Sequence, residues 1–166
     1  MRAFVFMTVL SLVSGCYGAL SGSECFVEGT MINTPSGMQP IESIKPGDTV
    51  SSFLAQEGAI GDAVVVETEV HEGRTDVYEL TLADYTQLKV TADHKFPTGA
   101  KLNRLRVVEL VVGDQIHLLD SEGELQPIAI ISKEKIPNSS RVYNLVVRNA
   151  EGDNYYFAEN VLTVDY

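Results

Sequence analysis

The chain has 166 residues, 45% of them hydrophobic, enough for one domain with a sizeable core and nothing that requires a second. It carries 12 Lys and Arg against 23 Asp and Glu, a formal net charge of -11, and the acidic residues are spread along the chain. That balance argues against a nucleic-acid surface, which needs clustered Lys and Arg, and for a solvated exterior.

Met1 to Val13 carries one positive charge, Arg2, followed by the apolar run AFVFMTVLSLV. The run is short for a membrane span and fits the apolar centre of an export signal; as a first core strand or helix it would be oddly placed at the extreme N-terminus before small residues. Residues 1–24 are therefore expected to be a signal peptide and short linker, and residues 25–166 the folded domain. Two cleavage schemes stay open. Val13-Ser14-Gly15-Cys16 resembles the lipobox of bacterial lipoproteins, which would make Cys16 a lipidated membrane anchor, whereas an ordinary secretory cut would fall near Gly18 or Ala19. Both predict an exported protein, secreted or anchored. The two cysteines, Cys16 and Cys25, could bridge in an exported chain, yet either scheme is expected to leave Cys25 free.

After residue 24 no stretch keeps helical spacing, while short β-branched segments recur between Gly, Pro, Asn and Asp. Strands are predicted at Thr30–Asn33, Thr49–Phe53, Ala63–Glu72, Asp76–Leu82, Gln87–Thr91, Gln115–Leu119, Leu125–Lys135, Arg141–Val147, Tyr155–Ala158 and Val161–Val164. The fold class is all-β. Met31, Met38, Tyr143, Tyr155 and Tyr156 read as core and rim packing, and Met7 as part of the leader.

The chain also repeats itself. TPSG at Thr34–Gly37 is echoed by FPTG at Phe96–Gly99, PGDTV at Pro46–Val50 by VGDQI at Val112–Ile116, and VYELTL at Val77–Leu82 by VYNLVV at Val142–Val147, with offsets of 62, 66 and 65 residues. Three matches in one order at nearly one offset predict two similar halves wrapped about one core as a pseudo-twofold pair. The Gly-Asp pairs read as turns, because Gly permits positive φ and Asp bonds local backbone amides. Asp48 and Asp114 are thus expected to be scaffold.

The halves differ after the Val-Tyr strand: the first runs into LKVTADHKF, Leu88–Phe96, and the second into YYFAENVLT, Tyr155–Thr163. Thr91 and His94 have no polar counterpart of the same kind in the second copy. If the chain turns there, Thr-x-x-His aims a hydroxyl and an imidazole into one space, a pair suited to an acyl shift. With these residues the chain resembles the Hint superfamily, the autoprocessing domains of hedgehog proteins and inteins, from Cys25 to Tyr166. CFVEGTMINTPSGMQPIESIKPGDTV is similar to the family's N-terminal block, VTADHKF to its Thr-x-x-His block, and RVYNLVV with NYYFAENVLTVDY to its C-terminal blocks. The resemblance implies a flat horseshoe of strands built by duplication. The stretch from His94 to Val142 is too short for a homing endonuclease, so this is a minimal form.

The resemblance further implies that the Cys25 sulfur attacks the Glu24 carbonyl in an N-to-S acyl shift, that His94 protonates the leaving amine, and that Thr91 positions the scissile Glu24–Cys25 peptide. A nearby imidazole could also accept the thiol proton. Against intein endings, Asp153 stands at an accessory His position, Val164 at the penultimate His, Asp165 at the cyclising Asn and Tyr166 at the downstream nucleophile, so full splicing is not expected. The substrate is then the chain's own N-terminal segment, with water or a small thiol or amine as acyl acceptor and no cofactor. The alternative is a catalytically idle exported Hint scaffold acting as a binding or interaction module. A metal site from His71, His94 and His117 with Asp93 would lack the close ligand pair usual in zinc motifs.

Overall fold

The computed structural model describes residues 24–165; the leader with Cys16, the cleavage sites, Met7 and Tyr166 lie outside them. Fourteen strands account for nearly all the regular structure: β1 (Phe26–Val27), β2 (Met31–Thr34), β3 (Gly37–Pro40), β4 (Thr49–Leu54), β5 (Ala59–His71), β6 (Val77–Leu82), β7 (Gln87–Thr91), β8 (Lys95–Thr98), β9 (Asn103–Arg106), β10 (Gln115–Leu119), β11 (Leu125–Ile136), β12 (Val142–Asn149), β13 (Tyr155–Ala158) and β14 (Val161–Val164). The remaining element is one 3-10 turn, Ile41–Ser43. Twelve strands form one sheet in the order β3-β2-β13-β14-β10-β11-β6-β7-β1-β12-β5-β4, and β8 pairs with β9 beside it.

The sequence repeat is a structural repeat: β2 to β6 correspond to β8 to β12. Gly47 has φ 94° and Gly113 φ 100°, a region open to glycine without strain. After each, the carboxylate closes the turn, Asp48 Oδ2 accepting from Lys45 N at 2.8 Å and Asp114 Oδ2 from Val111 N at 2.9 Å. Gly47 N donates to Val65 O and Val65 N to Asp48 O, just as Gly113 N donates to Ile130 O and Ile130 N to Asp114 O. The two aspartates are turn residues twice over.

The halves also exchange their long strands. β5, of the first half, pairs with β12 of the second, and β11 of the second pairs with β6 of the first. Each crossing carries a register shift, at Val66 opposite Val146/Val147 and at Ile131 between Ile130 and Ser132. The extra residue turns outward, leaving Val66 57% and Ile131 45% exposed. One cluster spanning both halves fills the interior, with Phe26, Ile32, Ile41, Leu80, Leu82, Phe96, Leu110, Ile116, Ile130 and Tyr156 all fully buried. Burying each such side chain contributes about 1.5–3 kcal/mol, so neither half is expected to hold its core alone.

β1, β3, β8 and β9 are not among the strands predicted from sequence. β1 has two residues and exists because β7 and β12 take it from both sides, Phe26 opposite Val90 and Tyr143. That placement puts the start of the domain in the middle of the sheet.

Candidate active site around the Glu24–Cys25 peptide

Thr91, the last residue of β7, grips Cys25 by its backbone. The Cys25 amide donates to Thr91 Oγ1 at 3.0 Å, and the Thr91 amide donates to the Cys25 carbonyl at 2.9 Å. The chain then turns at Ala92 and Asp93, with His94 N donating to Thr91 O at 3.1 Å, and Val107 and Val108 donate to the carbonyls of His94 and Ala92. Strand, turn and anchor thus bring the Thr-x-x-His pair to the peptide nitrogen that precedes β1.

Alternation along β1 separates the groups. Cys25 and Val27 face Val77 and Val142, while Phe26 faces the opposite side, its ring 4.3 Å from that of His94. The thiol and the imidazole therefore lie on opposite faces of β1. The His94 ring is wholly buried, 5.1 Å from Phe96. Its Nε2 lies 2.5 Å from Thr163 Oγ1, which itself donates to Lys95 O at 3.3 Å. With the hydroxyl proton on Lys95 O, the network assigns the ring proton to Nε2 and leaves Nδ1 as a lone pair. Nδ1 is buried without a hydrogen-bond partner, and the Glu24 backbone is the group that favours its protonation.

Burial sets the resting charges. It pushes the Cys25 thiol up to about 12, against the pull of Arg74, and takes His94 down to about 3. Forming a thiolate and an imidazolium from this state runs against burial at both groups. The pair is neutral at rest, and the charge that draws the thiol down belongs to Arg74, held bidentate by Asp76, and not to an imidazole.

Glu24 is only 3% exposed, and its carboxylate pairs with the Lys95 ammonium while Oε2 has no partner. Burial raises its pKa against the pull of Lys95. Asp165 is also buried: Oδ2 accepts from Val147 N at 2.6 Å and from Arg148 Nη1 at 3.1 Å, and Asn154 Nδ2 donates to the Asp165 carbonyl at 2.7 Å. Val164 is buried opposite Tyr155, and Asp153 stands in the turn after β12, its amide bonded to Asn149. Val164 carries no proton-donating side chain. The tyrosines 143, 155 and 156 are packed as expected.

His117 bonds the Pro97 carbonyl through Nδ1 at 3.1 Å. Among the described residues no three His, Cys, Asp or Glu side chains converge as a metal site. Thr163 and Lys95 were not anticipated from sequence. Lys95 adjoins His94, a hint of proximity, but the Thr163 contact spans 69 residues and has no local signal.

The family described as the pretoxin HINT domain matches residues 31–162, a span that takes in Thr91 and His94 and stops short of Cys25 and Thr163. The bacterial intein-like domain from Clostridium thermocellum is 31% identical, with 86% of this chain and 99% of that chain covered and a TM-score of 0.72. A DnaB intein from Synechocystis sp. PCC 6803 is 19% identical, with 87% and 99% covered and a TM-score of 0.75. The gp41-1 intein is 22% identical, with 86% and 98% covered and a TM-score of 0.67; these last two share the fold alone. No curated protein matches the chain.

Proposed function

We propose, from the premise that the chain belongs to the pretoxin Hint domain family, that it cleaves its own chain once by an N-to-S acyl shift at Glu24–Cys25. The observation that carries this is the grip of Thr91 on the Cys25 amide at 3.0 Å with the buried His94 ring beside the Glu24 backbone. In the first step Cys25 Sγ loses its proton and bonds to the Glu24 carbonyl carbon. The proton leaving Sγ is taken up by the lone pair of His94 Nδ1 and handed on to the Cys25 nitrogen as the C–N bond breaks, so that the nitrogen leaves as an amine and the ring ends neutral. In the second step water, or a small thiol or amine, adds to the thioester, frees the segment ending in Glu24 and returns a proton to Cys25. Thr91 holds the nitrogen in place; the reaction needs no metal or cofactor. With Val164 and Asp165 where splicing calls for His and Asn, the reaction stops there. The released segment is the chain's own leader remnant, and if Cys16 is lipidated, cleavage frees an exported domain from its anchor.

One observation favours a second reading, an idle exported scaffold used for binding: the resting thiol is buried and held near 12. Incubation with dithiothreitol separates the two. Intact-mass analysis of wild type and Cys25→Ala should show a thiol-dependent loss of residues 1–24, or of the processed remnant ending at Glu24, in wild type alone. Identical masses would refute the acyl shift.

A further inference from the structure

Glu24 is the residue whose acyl group the proposed reaction transfers, and its carboxylate is almost completely removed from water. Ionised Glu is almost never buried without a partner. Here one oxygen meets the Lys95 ammonium, and the positive field of Arg104 also reaches the carboxylate. Arg104 is itself fixed, its Nη2 donating to Asn154 Oδ1 at 2.7 Å and its guanidinium lying 5.5 Å over the Tyr155 ring. The opposing charge in the neighbourhood is Asp165.

We infer that Lys95, supported by Arg104, forms a subsite that selects an acidic residue, Glu above all, immediately before the nucleophile. Lys95 is well placed for this because it follows His94 directly and its carbonyl accepts from the Thr163 hydroxyl that also meets His94 Nε2. Recognition of the acyl residue and placement of the proton donor share one short segment. A Glu held by its carboxylate keeps its own carbonyl still between Cys25 and His94. A neutral side chain leaves the ammonium without its partner, and a cation meets it with like charge.

The inference rests on the acyl-shift reading, and the test keeps the two apart. Precursors with Glu, Gln, Asp, Ala or Lys at position 24 are made in the wild-type background and with Lys95→Glu, and thiol-induced cleavage is timed by intact mass at a temperature where circular dichroism shows each folded. Glu24→Lys is expected to slow cleavage at least about tenfold, equivalent to about 1.4 kcal/mol, and Glu24→Ala and Glu24→Gln by lesser factors. The swap Glu24→Lys with Lys95→Glu is expected to recover most of the rate. Equal rates for Glu, Ala and Lys, or a swap no faster than either single variant, would overturn the subsite. If wild type itself releases nothing, the acyl-shift reading fails, and the same swap is then read by thermal midpoint in Cys25→Ala. There, recovery supports the subsite and simple addition of the two losses overturns it.

Discussion

Replacing Thr163 by valine deletes one hydroxyl from the interior while keeping shape and β-propensity. The hydroxyl lies 2.5 Å from His94 Nε2 and 3.3 Å from Lys95 O, and both side chains are fully buried. Stranding a buried ring N–H costs about 1–3 kcal/mol, which at about 2–4 °C per kcal/mol for a domain of this size lowers the midpoint by about 2–12 °C. Correct placement of a general acid contributes about 10²–10⁴-fold, so a freely rotating imidazole should lose at least about tenfold of the cleavage rate. The assay is thiol-induced cleavage followed by mass at 25 °C, with melting curves recorded on the same samples. Thr163→Ser restores the hydroxyl and should restore the rate even where its midpoint stays low. A Thr163→Val protein that cleaves as fast as wild type would refute the claim that this bond orients His94. A serine variant as slow as the valine one would refute it equally.

His94 makes folding depend on pH with a definite sign. Its folded pKa, about 3, lies below the unfolded value, so the unfolded chain binds the extra proton and stability is lost as pH falls from about 6.5 toward 3. The ceiling of that loss is about 5 kcal/mol, and subtracting the urea midpoints of His94→Gln from those of wild type across this range isolates it from the raised carboxyls of Glu24 and Asp165. A parallel pair of curves would exclude it. Native Cys25, measured in a Cys16→Ser background, should react with iodoacetamide at pH 8 about a thousandfold slower than a free cysteine and speed up as pH rises toward its pKa of about 12. Reaction at the free-thiol rate would show that the sulfur is exposed. Asp48→Ala and Asp114→Ala should each lower stability by about 0.5–2 kcal/mol, by similar amounts, with the cleavage rate kept at temperatures where both are folded. Loss of cleavage in a folded variant would give that aspartate more than a turn to make.

The repeat was readable because Gly-Asp turns and Val-Tyr strands impose local rules that a chain must obey twice. β7, β10, β13 and β14 lie where alternation and punctuation put them. β1 escaped because a two-residue strand has no periodicity of its own; its neighbours make it. β8 and β9 escaped as strands, although the echoed Pro-x-Gly at Pro97–Gly99 marks their hairpin turn, because Pro97 and the Lys and Arg of this stretch break the apolar alternation. The Thr-x-x-His pair stood out as an asymmetry between copies, and the turn at Ala92 and Asp93 delivers it to the peptide nitrogen. Thr163 and Lys95 stayed hidden. Nothing near Thr163 in sequence names its partner 69 residues away, and Lys95, though next to His94, carries no local sign of the Glu24 carboxylate that folds against it.

The place of β1 also sets an order in time. Cys25 is among the first residues of the domain to be synthesised, yet the strands that flank it, β7 and β12, and the threonine that steadies His94 are made later, the last of them at position 163. A growing chain on the ribosome therefore carries Cys25 long before the candidate site around it is built. On the proposed acyl shift, cleavage at Glu24–Cys25 would wait for β14, and the bond would be cut only in a finished domain.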